Sequence, residues 1–247
     1  MSKNILVGKN YDIIDHSKWW DDKTNQASQL KNNYNEMQKL LISSAQKHLQ
    51  DLDDIIIHTG EAENIREVFK IHFKQIYDLW QTGCNILYCD LDVVFLNTAK
   101  IFNEFDKFSM FNLTDPTSTT DEHYGISFKH FFNCGVRYYP ENMEQTVWEK
   151  GFEMLENWNP DRWDCEQVIY NAMMWSQNDD PQIFYRPNLS FQMLHALPLH
   201  QGNTQFNNIR ISDASIVHLH GSRDSINRLE TMKELVKGNF DEEILLL

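Results

Sequence analysis

The first hundred residues alternate short apolar runs with segments of helical periodicity, and this alternation constrains the fold more than any other feature. Apolar runs occupy residues 5–7, 54–58 and 85–96, while apolar side chains recur at helical spacing over residues 26–50 and 64–80. A β-α-β-α-β order is typical of α/β folds with parallel strands, and ligands of such sheets bind beyond the carboxyl ends of the strands. We therefore predict a mainly parallel sheet flanked by helices.

Local signals predict where these elements begin and end. Asn64 is a predicted N-cap of the second helix, and Gly83 is expected to follow its end. Thr59-Gly60 predicts a turn that closes the second strand, and residues 9–22 are predicted to form a polar loop. Beyond residue 97 we predict strands at 108–112, 131–139 and 214–219, helices at 143–158, 164–175 and 225–237, and a polar loop at 115–124.

Composition indicates one folded domain with little affinity for extended polyanions. Apolar residues make up 41% of the chain and aromatic residues 13%, enough to bury a core. No repeat or linker marks a boundary, so a single domain is expected over residues 1–247. The net charge of −14 disfavours broad contacts with DNA or an anionic membrane. A diphosphate substrate would need a metal ion and a few well-placed cations.

The cysteines and the start of the chain bear on its compartment. Cys84, Cys89, Cys134 and Cys165 lack CxxC spacing, so buried thiols are expected. The first residues lead into a strand-like run and not into a secretory signal, and no apolar stretch approaches the ~20 residues of a membrane span. We expect a soluble, cytoplasmic protein.

Two aspartates interrupt the apolar run NILYCDLDVVFL at residues 85–96. Asp90 and Asp92 are separated by one residue, so on a strand both carboxylates project to the same side. Two carboxylates suit Mg²⁺ or Mn²⁺ and leave coordination positions for diphosphate oxygens. A pair of solvated turn residues is the alternative. The apolar surroundings favour a metal site, because unneutralised carboxylates are costly to bury.

This run resembles the metal-binding strand of GT-A glycosyltransferases, especially the glycogenin and lipopolysaccharide galactosyltransferase group of glycosyltransferase family 8. The resemblance implies a Rossmann-like GT-A fold, a Mn²⁺ or Mg²⁺ cofactor, and a nucleotide-sugar donor that also contacts Leu91. It extends through short motifs, in the same order, from Ile5 to Arg223. It also implies a donor-binding part over about residues 1–97 and an acceptor and metal-completing part over about 98–247.

Two further segments resemble motifs that contact the sugars. The segment FNCGV resembles the group's FN(S/A)GV motif, which implies that Asn133 and Gly135 line the sugar pocket, although a turn beside a strand explains it equally well. The segment DCEQ resembles an acidic helix start that contacts the donor sugar or the acceptor. Either Asp164 or Glu166 takes the inner position, and an ordinary helix-capping cluster is the competing explanation.

The segment IVHLHG resembles the group's late HxxG motif, whose histidine completes the metal shell. His218 lies three residues before Gly221, as in the motif, so it is the expected third ligand, and His220 is the alternative. A packed or surface histidine is the non-functional explanation. Where the family often has Lys followed by Pro-Trp, this chain has Ser-Arg-Asp, and Arg223 is expected to bind a phosphate by a bidentate hydrogen bond.

The remaining donor contacts are expected on the first half of the chain. Lys74 precedes Asp90 by sixteen residues, where the family has a donor-binding Arg or Lys, and Lys70 lies one turn away. A solvated helix face is the alternative for both lysines. The base and ribose are expected to contact Val7, Lys9, Tyr11, His58 and Thr59.

The resemblance implies transfer of a hexose or pentose, with retention, from a UDP-sugar to a hydroxyl of a glycan, protein or small-molecule acceptor. A modified DNA base, an acceptor of some phage and viral transferases, is disfavoured by the net charge. A haloacid-dehalogenase-type phosphatase also uses Mg²⁺ at a DxD strand, but its pattern continues with a turn-forming stretch and Thr where this chain has Val93-Val94-Phe95. A degenerate domain that binds a glycan or partner through its tryptophans is the second alternative.

Overall fold

The computed structural model describes residues 2–13, 27–102, 106–115, 119–128, 131–159, 165–177, 193–195, 214–219 and 225–239. The elements of its first half are β1 (Lys3–Ile13), α1 (Ala27–His48), β2 (Asp54–Ala62), α2 (Ile65–Trp80), β3 (Cys84–Cys89), β4 (Val93–Phe95) and β5 (Ser109–Asp115). Those of its second half are β6 (Thr119–Asp121), β7 (Ile126–Phe128), β8 (Phe131–Tyr139), α3 (Gln145–Glu156), α4 (Cys165–Ser176), β9 (Met193–His195), β10 (Ile216–His218) and α5 (Ser225–Lys237).

Five strands form the central sheet in the order β2-β1-β3-β8-β5. β1 pairs in parallel with both β2 and β3, whereas β8 is antiparallel to both β3 and β5. Four of these five strands therefore run in one direction and β8 opposes them. The predicted α/β fold with a mainly parallel sheet flanked by helices is confirmed.

Helices cover both faces of this sheet because successive side chains of a strand point to opposite faces. On one face, Leu6 and Leu87 belong to a core cluster that includes residues of α1 and α5. On the other face, Ile5, Val7 and Ile86 join a second cluster with residues of α2, α3 and α4. Burial on both sides explains why these strands are continuous apolar runs in the sequence.

The pairing of β1 with β2 extends further than the sequence indicates. The predicted loop from residue 9 and the predicted turn at Thr59-Gly60 are wrong, because the parallel register continues from Ile5 opposite Asp54 to Ile13 opposite Ala62. Backbone hydrogen bonds between the strands stabilise this polar extension without any apolar periodicity. The remainder of the predicted loop, residues 14–22, lies outside the described residues.

The single strand expected over residues 85–96 is also wrong in one respect. β3 ends at Cys89, the chain turns through Asp90-Leu91-Asp92, and β4 then pairs with β10 in a separate three-stranded sheet of order β4-β10-β9. Both strands are fully buried. Two buried strands in different sheets, separated by three residues, look like one apolar run in the sequence.

Most other elements match their predictions. β8 and α5 have the predicted ends, and α1, α3, α4, β5 and β10 differ from them by a few residues at the most. Asn64 caps α2 by accepting a hydrogen bond from the Glu67 amide at 3.1 Å, and Gly83 follows the helix with a φ of 81°. The predicted loop over residues 115–124 is wrong in part, because β6 lies within it and pairs with β7 as a hairpin. β9 was not predicted.

The prediction of buried thiols is confirmed for Cys84 and Cys89 and not for Cys134. Cys84 and Cys89 are buried and Cys134 is half-buried, and all three are free thiols, while the side chain of Cys165 lies outside the described part. Among the described helices, none combines the length and apolar character that a bilayer crossing requires.

A pair of histidines, His58 on β2 and His72 on α2, predicts that the stability of the protein depends on pH. His58 Nδ1 lies 3.1 Å from His72 Nδ1, so one ring donates and the other accepts. Burial, helped by the charges of Lys9 and Arg137, lowers the pKa of His72 well below its ordinary 6.5. Below pH 6.5 the unfolded chain therefore takes up a proton that the folded chain excludes. The free energy of unfolding accordingly decreases as the pH is lowered.

We expect His72→Phe to remove part of this dependence. The free energy of unfolding of the parent, relative to that of the variant, should fall by about 2 kcal/mol between about pH 7 and pH 5. Urea unfolding at a series of pH values measures this difference. Parallel curves for the two proteins would show that His72 is not kept neutral by folding.

Candidate metal centre

Three side chains predicted to bind metal converge where β3 ends. The candidate ligand atoms of Asp90, Asp92 and His218 all lie within 4.8 Å of one another. Nε2 of His218 is 3.3 Å from Oδ1 of Asp92 and 4.0 Å from Oδ2 of Asp90. Asp92 and His218 are buried, whereas Asp90 is half-buried. Residues 128 positions apart in the chain thus form one cluster.

Backbone pairing fixes the three side chains from both sides. The Asp90 amide donates to the Gly135 carbonyl at 2.7 Å, which attaches the turn to β8. The Leu219 amide donates to the Asp92 carbonyl at 3.0 Å, and His218 pairs with Val93 in the β4–β10 ladder. The change from the central sheet to the small sheet therefore brings His218 opposite the two aspartates.

Gly135 provides the space that this arrangement needs. A Cβ built on Gly135 would lie 2.7 Å from Nε2 of His218 and 2.8 Å from Oδ2 of Asp90, closer than real Cβ contacts. Any larger residue would have to displace the imidazole or the carboxylate. The glycine of the FNCGV segment is thus required by the approach of the β8 backbone to the three side chains.

Asp92 is held by a buried ion pair that was not predicted. Nη1 of Arg228, on α5, donates to Oδ2 of Asp92 at 2.8 Å, and both side chains are at least 91% buried. Burial alone would raise the pKa of Asp92, but His218 and Arg228 outweigh it and hold the pKa well below its usual range. Asp92 is therefore ionised at neutral pH, as a metal ligand must be.

Asp90 is in a different electrostatic position. Burial raises the pKa of its carboxyl, while the nearby Lys9 ammonium acts in the opposite direction. Water moderates the burial effect, since 37% of the side chain is exposed. The Tyr88 hydroxyl donates to Oδ1 of Asp90 and leaves Oδ2 directed toward His218.

The donor set suits a divalent cation. Two carboxylates and one imidazole are ligands for Mn²⁺ and Mg²⁺, with the carboxylates preferred by both ions and the imidazole tolerated better by Mn²⁺. The bound cation would also lower the pKa of Asp90 and so favour its ionised form. Tyr88 donates a hydrogen bond to Asp90 and Arg228 donates one to Asp92. Hydrogen bonds of this kind orient metal ligands.

The contact with Arg228 predicts an effect on metal affinity. Arg228→Lys keeps the positive charge but loses the planar guanidinium that orients Asp92, so we expect roughly tenfold weaker Mn²⁺ binding. Titration calorimetry with Mn²⁺ measures it. Lys233→Arg, on the same helix, is the control, because Lys233 pairs with Glu230 at 2.7 Å and its charge also acts on Glu36 of α1. Equal affinities for Arg228→Lys and this control would contradict the role of Arg228.

Side-chain hydrogen bonds connect the FNCGV segment to α4. Asn133 Oδ1 accepts from the Gly135 amide at 2.8 Å, and its Nδ2 donates to Gln167 at 3.2 Å. Asn171 bonds both the amide and the carbonyl of Phe132 at 2.8 Å. The start of α4 is therefore held beside the strand that carries Gly135.

Glu166, one of the two carboxylates expected near the sugars, lies in the first turn of α4. It forms ion pairs with two basic side chains. Its Oε1 accepts from Lys9 Nζ at 2.8 Å and lies 3.6 Å from Nη1 of the buried Arg137. The Glu166 charge acts on the Asp90 carboxyl and helps to raise its pKa, so Glu166 lies near that ligand. Asp164 lies outside the described residues, and so do His220, Gly221 and Arg223.

The expected donor-binding residues have different positions. Lys9 is close to Asp90, Leu91 is buried within the Asp90-Leu91-Asp92 turn, and Val7 is buried on β1 opposite Tyr88. Tyr11, His58 and Thr59 continue along β1 and β2, where the Tyr11 hydroxyl donates to Gln75 and His58 bonds His72. Lys74 is 65% exposed and binds Asp78 on the next turn of α2, at 2.8 Å. Among these residues, Lys9 is close enough for its charge to act on the Asp90 carboxyl, whereas Lys74 is held in a local ion pair.

Three residues of the site were missed by sequence reasoning. Tyr88 carried a usable signal, because it lies two residues before Asp90 on a strand. Arg137 becomes interpretable only when the β3–β8 register places it opposite Tyr88. Arg228 carried no signal, since it is an ordinary arginine on an amphipathic helix.

Comparison with known proteins gives structural similarities and no sequence relative. No family model matches the chain, and no curated protein matches it. It is similar to a glycosyltransferase involved in the glycosylation of the major capsid of PBCV-1, with 14% identity and a TM-score of 0.48 over 94% of this chain and 99% of that one. It is also similar to the bifunctional glycosyltransferase WbbM, with 12% identity and a TM-score of 0.46. A third similar structure is the glycosyltransferase GlyE of Streptococcus pneumoniae, with 13% identity and a TM-score of 0.47. The matches cover 97% and 100% of this chain, but 52% of WbbM and 62% of GlyE.

Proposed function

We propose that this protein is a metal-dependent glycosyltransferase that moves a sugar from a nucleoside diphosphate sugar, such as a UDP-sugar, to a hydroxyl acceptor. The observation that carries the proposal is the convergence of Asp90, Asp92 and His218 within 4.8 Å. These are the residues to which the resemblance to GT-A glycosyltransferases assigns metal binding, and they come from two separate motifs. The cluster lies at the carboxyl end of β3, the edge at which α/β sheets bind ligands.

The surrounding side chains fit the binding of an anionic donor next to a sugar. Lys9 supplies a positive charge near Asp90, while Asn133 and Glu166 present an amide and a carboxylate from β8 and α4. An amide and a carboxylate are suitable partners for sugar hydroxyls. A divalent cation bound at the three ligands would offset the negative charge that builds on the departing diphosphate.

In the proposed reaction, the bond between the anomeric carbon and the diphosphate oxygen breaks, and the nucleoside diphosphate leaves with the electron pair. The acceptor oxygen forms the new bond to the anomeric carbon and loses its proton to the solvent or to the leaving diphosphate. Asp92, kept ionised by Arg228, and Asp90 would hold the divalent cation. Asn133 and Glu166 orient the sugar, and the resemblance favours retention of its configuration.

The proposal is tested with a panel of nucleotide sugars in the presence of Mn²⁺. We expect at least one of them to raise the melting temperature, because a ligand that binds only the folded state stabilises it, and to be split to a nucleoside diphosphate. Chelation of the metal should abolish both effects. Consumption of phosphate esters in place of nucleotide sugars would indicate a phosphatase, and metal-independent glycan binding without turnover would indicate a binding module.

A further inference from the structure

The single negative charge of Glu166 is paired with two positively charged side chains. Its Oε1 accepts a hydrogen bond from Lys9 at 2.8 Å and lies 3.6 Å from Nη1 of Arg137. One positive charge is enough to compensate a carboxylate, and 15% of the Glu166 side chain is exposed to water. The second cation is therefore free to serve another anion without leaving Glu166 uncompensated in a partly buried site.

Arg137 is the cation that cannot move. Its side chain is fully buried, with the guanidinium carbon 3.8 Å from the ring centroid of Tyr88 and 3.7 Å from that of Tyr170. Nε donates to the Tyr139 hydroxyl at 3.0 Å, and Nη1 donates to the Cys134 carbonyl. Stacking on both sides and hydrogen bonds at the edge hold the group in place.

Lys9 is the cation that is able to move. It has a flexible stem with a compact ammonium group, and 17% of its side chain reaches the solvent. β1 continues beyond the last residue of β3, and Val7 pairs with Tyr88, so the same register carries Lys9 alongside Asp90. The Lys9 charge accordingly acts on the Asp90 carboxyl, and lowers its pKa. Lys9 thus lies between Glu166 and the metal ligands.

We infer that Lys9 is an exchangeable cation, which pairs with Glu166 in the free protein and with the diphosphate of the donor in the complex. Arg137 then remains paired with Glu166. This inference rests on the proposed function and names the group that neutralises the donor. It also replaces Lys74 in that role, because Lys74 is mostly exposed and its ammonium is already bound to Asp78.

Binding of nucleoside diphosphates measures the exchange without any turnover. The probe is whichever of UDP, GDP, ADP and CDP binds the parent best at saturating Mn²⁺, measured by titration calorimetry. Lys9→Met should weaken this binding roughly tenfold or more, because it removes a hydrogen bond between two charged groups. Affinity for Mn²⁺ alone should be unchanged or higher, since a positive charge near Asp90 is lost.

A matched control separates this effect from a general change in net charge. Lys39→Met also removes one lysine from a Lys–Glu ion pair, here an exposed one within α1 with a separation of 2.6 Å, and should leave nucleotide affinity unchanged. If Lys74→Met weakens binding and Lys9→Met does not, the inference is overturned. If the parent shows no metal-dependent nucleotide binding, the proposed function fails together with the exchange.

Glu166→Gln provides the sharper test, because a purely structural role for Lys9 predicts the opposite sign. Loss of the carboxylate releases Lys9 from its competing partner, so nucleotide affinity should rise by about threefold or more. In the Lys9→Met background the same substitution should have a much smaller effect. An equal gain in both backgrounds would indicate simple removal of a negative charge, and would rule out exchange through Lys9.

Discussion

Replacement of Asp92 by Asn is expected to lower Mn²⁺ affinity by about a hundredfold or more and to abolish metal-dependent turnover of nucleotide sugars. Asp92 is the more deeply buried carboxylate of the cluster, and it is kept ionised by Arg228 and His218. Asn retains the shape of the side chain but removes the charge that a divalent cation requires. Calorimetric titration with Mn²⁺, followed by a donor-hydrolysis assay, measures both effects.

Loss of the fold must be distinguished from loss of the metal. The lowered pKa of Asp92 means that its ionised form stabilises the folded state above its ordinary pKa of 3.8, and that this contribution is lost as the pH falls through the lower folded-state pKa. At neutral pH the variant is therefore also less stable. Asp121→Asn is the control, because Asp121 is a buried aspartate that bonds the Tyr124 amide at 3.0 Å. This control should lose stability and keep its Mn²⁺ affinity. Unchanged turnover by Asp92→Asn with chelator present would refute the metal centre.

Gly135→Ala is expected to have the second largest effect, with Mn²⁺ affinity reduced by about tenfold to a hundredfold. The added methyl group would occupy the space of the His218 ring and of the Asp90 carboxylate, both within 2.8 Å. A backbone-held strand on one side and a buried imidazole on the other leave little room for relaxation. Electron paramagnetic resonance of bound Mn²⁺ would report both the affinity and the altered ligand environment.

Gly151→Ala gives the reciprocal result and serves as its control. A Cβ on Gly151 would lie 2.5 Å from Phe73 and 2.7 Å from Met173, in the core between α2, α3 and α4. This variant should unfold at lower temperature and keep the affinity of the parent for Mn²⁺. If Gly135→Ala instead resembles Gly151→Ala, with lower stability and normal metal binding, the glycine serves packing and not the site.

The α/β architecture was predictable because the main elements carry local signals. The apolar stripe of α1 and α2, the Asn64 cap and the largely apolar run of β3 are properties of neighbouring residues. The extension of β1 to Ile13 was not predictable, because its partner β2 lies more than forty residues away and the paired segments are polar. Backbone pairing leaves no hydrophobic pattern where the strand side chains face water.

The same distinction applies to the candidate site. Asp90, Asp92 and His218 could be nominated because each stands in a short motif, and Glu166 could be nominated only together with Asp164. The spacing of Lys74 from Asp90 predicts a contact with the donor, but a position on a helix does not show which group the side chain contacts. The local ion pair with Asp78 is a property of the helix surface, and only the tertiary structure reveals it.

The sequence by itself determined the alternation of helices and strands, the acidic pair in an apolar run and the glycine and histidine that accompany it, because these depend on residues close together in the chain. Only the tertiary structure decided that Asp90-Leu91-Asp92 is a turn between two sheets, that Arg228 holds Asp92 across 136 residues, and that Lys9 and Arg137 share Glu166. The physical reason is that charge compensation acts through space. A buried carboxylate selects whichever cation the fold brings within hydrogen-bonding distance, and sequence separation places no limit on that choice.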